Sequence, residues 1–247
     1  MKIMKMKKKK SQTIETNHVD LLSNGYVRLV DSMGSDLSVV NAARASYAKE
    51  SFEIDENDKR LIRFLAREGH WSPFRHAFLT FEFKAPLMVA RQHWKYVVGS
   101  DHTMDSWNES SRRYITSDPD FYIPGVEQWR LAPENSKQGS GDFIDSESGL
   151  MLTSKLLETI DYCMANYEMA LNDINIAPEQ ARLFLPAYGM NVLYRWSCSL
   201  QSVGLFLKQR QHDTAQHEIS VYANAVYDLV KPIFPVSIDS IMEFYDA

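Results

Sequence analysis

Between Arg91 and Tyr114 the chain reads RQHWKYVVGSDHTMDSWNESSRRY, in which four fixed cations, two histidines, several hydroxyls, an Asn and a Glu follow an apolar lead-in. Lys95, Arg112 and Arg113 supply permanent positive charge, and the arginines present forked donors that match phosphate oxygens. Asn108, Glu109, Ser110 and Ser111 add the directional bonds that a base or sugar needs. A plainer account stands beside this one. Glu109 and Arg113 are four residues apart and suit a helical ion pair of about 0.2–0.5 kcal/mol, and either serine can cap a turn.

Three further residues stand out by their surroundings. Arg182 lies in the apolar run QARLFLP, and Arg210 closes the run SVGLFLKQR. Packing either inside would demand an anionic partner, for which Glu179 and Glu218 are candidates, or else a ligand. His70, in GHWSPFRH with Ser72 and His76 nearby, is either a hydrogen-bonded structural histidine or a catalytic base.

The elements that must position these groups are partly legible. NGYVRLVD (24–31) predicts a strand entered from an Asn-Gly turn, and SVVNAARASYAK predicts a helix capped by Ser38. A second helix is predicted from an Asp55 cap, with Leu61, Ile62, Phe64 and Leu65 as its apolar stripe and Gly69 as its stop. HAFLTFEFKA (76–85) predicts a strand by its aromatic and β-branched alternation, and Pro86 suits the start of a helix running from Leu87 to Val98. The segment opened above therefore begins on a helix and runs out into a loop. SKQGSGDFIDSESG (136–149) predicts a loop. Beyond it the pattern predicts helices over 150–174, from Pro178, over 189–210 as one long apolar helix, and from Thr214 to Val230. With no internal repeat and no break in composition, a single α+β domain is expected.

Composition narrows the function classes. The 247 residues are 45% hydrophobic and 24% charged, ordinary for a globular protein. The first ten residues carry six lysines and no acid, so the rest is six charges more acidic than the whole chain's −5. An acidic body argues against duplex binding, which needs a broad basic face, and residues 1–18 are expected to be a solvated tail ahead of a domain over 19–247. No apolar run of membrane-spanning length and no secretory signal is present, so a cytoplasmic protein without membrane or nucleic-acid partners is expected. Cys163 and Cys198 are 35 positions apart with no CxxC and no paired-histidine spacing, so two buried thiols are expected and no metal site.

The segments GYVRLVDSMG, AARASY, GHWSPFRH, KAPLMVARQ, NESSRRY, FYIP, EQARLFLP, FLKQR and AQHEI follow one another in an order and spacing that resemble the flavin-dependent thymidylate synthases. The likeness runs from about Gly25 to Phe234. It implies an α+β domain with a central, mainly antiparallel sheet flanked by helices, assembled as a homotetramer with shared sites. It also implies reductive methylation of dUMP to dTMP, with methylenetetrahydrofolate as carbon donor and FAD reduced by NADPH as hydride source, and without a cysteine nucleophile.

Carried over position by position, the resemblance makes Arg210 the arginine that polarises the uracil ring and favours its ionised form, and makes His70, at a flavin-side position, the second catalytic residue. Gln92, Lys95, Glu109, Ser110, Ser111, Arg112, Arg113, Arg182 and Arg210 fall at dUMP-binding positions. Ser72, Lys95, Tyr96, Val97, Glu109, Ser199, Leu200, Gln201 and Leu205 fall at flavin positions. The chain departs from the family where Lys95, Tyr96 and Val97 replace an arginine, histidine, arginine run, and where GSDHTMD (99–105) lengthens the following loop, with Asp101 or His102 as candidate substitutes. At the flavin positions, Ser199 and Gln201 replace an Asn and an Arg. The departures keep two alternatives open: a related flavin-dependent enzyme with another pyrimidine acceptor or one-carbon product, and a catalytically silent nucleotide-binding homologue.

Overall fold

Alternate residues from Leu79 to Ala85 and from Val192 to Cys198 are buried, and together they make one face of an antiparallel sheet. The structure, a computed structural model, describes residues 17–99, 105–111, 114, 118–134 and 139–244, with 97–99 described by their backbone alone. Among them β1 (His18–Leu21), β2 (Gly25–Met33), β3 (Phe78–Pro86), β4 (Ser106–Glu109) and β5 (Asn191–Ser199) form a five-stranded sheet in the order β1-β2-β3-β5-β4. Every neighbouring pair is antiparallel. The helices are α1 (Asp36–Arg44), α2 (Glu56–Arg67), α3 (Leu87–Gly99), α4 (Ser146–Glu168), α5 (Pro178–Ala181), α6 (Leu200–Arg210), α7 (His217–Val230) and α8 (Pro235–Phe244).

The two sheet faces have opposite chemistry because side chains alternate along a strand. Val27, Phe81, Phe83, Tyr194 and Trp196 point into the core, where α3, α6 and α7 cover them. On the other face Glu82 lies between Arg28 and Arg195, at 2.8 and 3.1 Å. Burial alone would raise the Glu82 carboxyl, but the bonds from both arginines and Tyr26 outweigh it and hold it below the usual carboxylate range.

Several expected elements differ in extent. The run 189–210, expected as one helix, is strand β5 followed by helix α6. Its first half carries Val192, Tyr194, Trp196 and Cys198 at every second position, a period that no helix face accommodates. Ser199 ends the strand and caps the helix, its side chain accepting from the Ser202 backbone N–H at 3.2 Å. Farther along, Gly204 lets α6 lie against α8, since a Cβ there would come within 2.3 Å of Ile241.

The first helix is capped by Ser35, with Ser38 as the third residue of a reciprocal capping box. Asp55 caps α2 as expected, and Gly69 follows at φ 69°, but Phe64 is exposed and sets its ring edge to the His70 imidazole at 5.9 Å. Helix α4 starts at Ser146, inside the stretch expected as loop, because Asp145 accepts from the Ser148 N–H at 2.9 Å. The segment after α3, expected as loop, includes the short strand β4. Cys198 is buried but Cys163 only partly so, a correction to the expectation of two buried thiols. Residues 1–16 of the expected tail lie outside the described residues, while its last expected residue, His18, opens β1.

Candidate active site

Helix α3 leaves the sheet at Pro86 and presents two flanks. Arg91 and Trp94 face β4, where with Leu87, Ala90, Trp107 and Glu109 they line a cleft of about 350 Å³. Trp94 meets Trp107 edge to face at 5.3 Å. Desolvation raises the Glu109 carboxyl in this setting, despite Trp107 and Arg91. The strand register puts Glu109 opposite Tyr194, on the helix-facing side of the sheet. Ser110 continues the pairing, its N–H donating to the Leu193 carbonyl at 2.8 Å and its hydroxyl accepting from the Leu193 N–H at 3.2 Å.

Gln92 and Tyr96, one turn apart, occupy the other flank, towards α6 and α7. The Tyr96 hydroxyl donates to Gln209 at 3.0 Å, and the Arg210 guanidinium lies over the Tyr96 ring at 5.4 Å. Arg210 makes no ion pair among the described residues; its Nε is buried and unpaired. Leaving such a donor unsatisfied costs about 1–3 kcal/mol, a cost that a ligand acceptor removes. Lys95 is exposed on the ridge between the two flanks.

Between the flanks His93 is enclosed by Trp196, Phe206, Tyr194, Phe83 and Trp107. Its Nδ1 lies 3.1 Å from the Tyr194 hydroxyl, and its Nε2 has no partner. Burial, aided by the charge of Arg210, lowers its pKa to about 3. The ring is therefore neutral at physiological pH.

The expected partners of the two conspicuous arginines are not those observed. Arg182 is exposed and donates to the Glu179 carbonyl at 3.1 Å, because its turn lies at the surface. Glu218 pairs with Arg130 at 2.6 Å, both largely buried, so it is not the partner of Arg210. Burial alone would raise the Glu218 carboxyl, but bonds from Gln216 and Arg130 more than offset this and hold it below the usual range. Gln216, in the AQHEI segment, donates to Glu218 at 2.8 Å and accepts from Gln92. Beside this chain, Met88, Tyr122, Pro124, Trp129 and Leu156 help line a second cleft of about 350 Å³. The sequence offered Gln216 only as part of a resembling segment and Glu218 also as a candidate partner for an arginine, and it offered no signal for Arg130.

Part of the expected flavin set, Ser72 with Ser199, Leu200, Gln201 and Leu205, lies towards the start of α6, whereas Lys95, Tyr96 and Glu109 stand on α3 and β4, with Tyr96 under Arg210. His70 and Ser72 are exposed, and the turn they enter reaches α6 through Ala77, whose carbonyl accepts from the Leu200 N–H at 2.9 Å. Gln201 is partly buried with its Oε1 unpaired, and Leu205 lies one turn on at 9% exposure. Ser199 and Leu200 are fully buried, their side chains serving the cap and the core. Asp105 ties the end of the lengthened loop to this region, accepting from the Trp196 indole at 3.1 Å and the Ser202 hydroxyl at 2.9 Å. The Val97 side chain and Arg112, Arg113, Asp101 and His102 lie outside the described residues.

The residues present fit a flavin on one count the structure supplies. The buried Gln201 oxygen lacks a donor, and an isoalloxazine imide or a ribityl hydroxyl provides one. At the other end, a guanidinium whose buried Nε has no partner among the described residues suits an electron-rich planar ring carrying oxygens.

Comparison with known proteins specifies the class. Residues 28–236 match the family model of the thymidylate synthase complementing protein. The flavin-dependent thymidylate synthase of Wolbachia pipientis wMel is 34% identical over 224 residues, 91% of this chain and 76% of that protein. That of Thermosipho africanus (strain TCF52B) is 34% identical over 227 residues, 91% and 93% respectively. Among solved structures, the UMP/dUMP methylase PolB from Streptomyces cacaoi bound with 5-Br UMP superposes with a TM-score of 0.76 at 29% identity, covering 90% of this chain and 95% of that one. The chain belongs to the flavin-dependent thymidylate synthase family. No helix among the described residues is long and apolar enough to cross a membrane.

Proposed function

We propose that this chain is a methyltransferase that converts dUMP to dTMP, with methylenetetrahydrofolate as one-carbon donor and NADPH as reductant of a bound FAD. The observation that carries the reading is Arg210: a guanidinium whose buried Nε has no partner among the described residues, laid over Tyr96, which itself stands one helical turn from Gln92 on α3. Bound FAD, once reduced, supplies the hydride. The chain's own residues bind and polarise. Arg210 stabilises negative charge developing on the uracil ring, the kind of fixed charge that needs no reorganisation during reaction. Gln92 bonds the base, while Lys95, Arg112, Arg113 and Arg182 meet the phosphate and Ser110 and Ser111 add hydroxyl and backbone donors. His70, Ser72, Tyr96, Gln201 and Leu205 border the flavin, with Ser199 and Leu200 holding the helix that presents Gln201.

A homotetramer with shared sites supports this division of labour. Arg210 and Gln201 stand nine residues apart on α6, about 14 Å at 1.5 Å per residue, and Glu109 to Ser111 lie across α3 from Gln92. Helix α4 also exposes Leu150, Met151 and Tyr162 at 59%, 57% and 72%, an apolar surface suited to contact between copies.

The test is a pair of measurements. Protein loaded with FAD and desalted is expected to retain the flavin chromophore, and with dUMP, methylenetetrahydrofolate and NADPH it is expected to form dTMP. Failure to retain FAD in direct titration overturns the reading. A second reading, in which the acceptor is UMP, is favoured by the likeness to a methylase whose substrates include both nucleotides. Product analysis with UMP and dUMP supplied separately distinguishes the two.

A further inference from the structure

Four side chains from distant parts of the chain form one line of hydrogen bonds: Arg130 to Glu218 Oε1 at 2.6 Å, Gln216 Nε2 to Glu218 Oε2 at 2.8 Å, and Gln92 Nε2 to Gln216 Oε1. The polarity of this line is not arbitrary. Arg130 can only donate, and an ionised carboxylate can only accept, so Glu218 obliges Gln216 to turn its NH2 group inward. The Gln216 oxygen must then face Gln92. Gln92 in turn commits its nitrogen to Gln216, and its carbonyl oxygen is left without a partner among the described residues. The Met88 sulfur, 3.6 Å from the Gln216 nitrogen, is a weak acceptor and agrees with the same orientation.

From this geometry we infer that Glu218 and Gln216 are specificity-determining positioning residues: they lock the Gln92 amide in one orientation, and the locked amide selects uracil over cytosine in the nucleotide. The inference rests on the proposed function, which puts the base beside Gln92 and Arg210. Its chemistry is that of the pyrimidine edge. Uracil presents an acceptor at position 4 and a donor at position 3, whereas cytosine presents a donor at 4 and an acceptor at 3. An amide fixed in one orientation matches one of these patterns and opposes the other, while a freely turning amide accepts both. Arg130 therefore determines which base is read through three intervening side chains, none of which need touch the base except Gln92.

The test compares dUMP and dCMP binding by calorimetry in the FAD-loaded wild type and in Gln216→Met and Glu218→Gln. Gln216 stands at the α7 N-cap without a side-chain capping bond, so methionine leaves that helix end and the Arg130–Glu218 pair intact. In Gln216→Met the preference for dUMP is expected to fall about tenfold, the order of one hydrogen bond to a correctly directed partner. In Glu218→Gln, Arg130 retains the new amide's oxygen, so its NH2 faces Gln216 and the line reverses. The preference is then expected to fall further, towards dCMP.

An equal loss of affinity for both nucleotides in the two variants assigns a purely structural role and overturns the inference. So does an unchanged ratio. A wild type that binds dUMP and dCMP alike overturns it too, while leaving dUMP binding itself standing. A wild type that binds neither nucleotide overturns the functional reading on which the inference rests.

Discussion

The two ends of helix α6 are built to opposite electrostatic rules. At its start, Ser199 accepts from the Ser202 N–H, and Ser202 in turn donates to Asp105, so the polar groups satisfy one another and only the Gln201 oxygen is left over. At its end, Arg210 has no acidic partner among the described residues. Its charge is tolerated because the helix C-terminus carries partial negative charge and the Tyr96 ring lies beneath the guanidinium. The difference shows how a half-buried cation can be kept available: helix end and aromatic face stabilise it diffusely, while Glu218, one of the acids offered by the sequence, pairs with Arg130.

The comparison breaks most visibly at Arg210. Arg210→Ala is expected to lower the rate of dTMP formation by two to three orders of magnitude, equivalent to about 3–4 kcal/mol for a charge aimed at a developing anion. FAD retention is expected to fall little, because Ser72, Ser199 and Gln201 lie towards the other end of the helix and Tyr96 is the flavin position that Arg210 covers. Steady-state turnover and flavin absorbance of the desalted variant read the two effects separately. Turnover near that of the wild type would show that the Arg210 guanidinium has no catalytic part.

How much of this was visible beforehand follows from the range of the interactions. Helix α2 was legible because its capping residue and its stripe are local, and α3 because Pro86 marks its start. The run 189–210 was misread because a central strand buried on one face and a buried helix share the same apolar composition. Arg195, set among Tyr194, Trp196 and Leu193, was the clue to period two. At the site, Arg210 stood out as a cation ending an apolar run. Its surroundings did not. Gln92 meets Gln216 across 124 positions and Arg130 meets Glu218 across 88, and no local pattern encodes such a pairing.

The reach of the cationic end is tested at His93. His93 has its pKa lowered from 6.5 to about 3 by burial and by Arg210. In the unfolded chain the imidazole takes up its proton near 6.5, while the folded chain resists until about 3. The stabilising contribution is therefore complete above pH 6.5 and is lost progressively as the pH falls through that window. The slope from this one group is at most about 1.4 kcal/mol per pH unit. His93→Phe, which keeps an aromatic ring against Phe206 and Trp196, is expected to flatten the fall in stability by that amount. Urea unfolding of both proteins between pH 7 and pH 4 decides it, on the order of one urea-midpoint comparison per pH unit; parallel curves would mean that His93 is not neutral in the fold.

The smallest effect is expected at the opposite end. Ser199 falls at a flavin position by family likeness, yet its side chain is fully buried and occupied as the α6 cap. A direct flavin contact through that hydroxyl and a capping role make different demands. If the residue acts only as a cap, Ser199→Ala costs about 1 kcal/mol of stability, and Ser199→Asp, which restores a capping acceptor, fails to recover it fully because a buried carboxylate must be desolvated. FAD affinity of the alanine variant is then expected to stay within about twofold of the wild type, since ΔΔG at a cap is felt by the fold rather than by a ligand. Chemical denaturation and flavin titration of the same preparation separate the two roles. A large loss of FAD affinity with little loss of stability would put the Ser199 hydroxyl on the flavin, and would make the start of α6 a ligand-facing end like its finish.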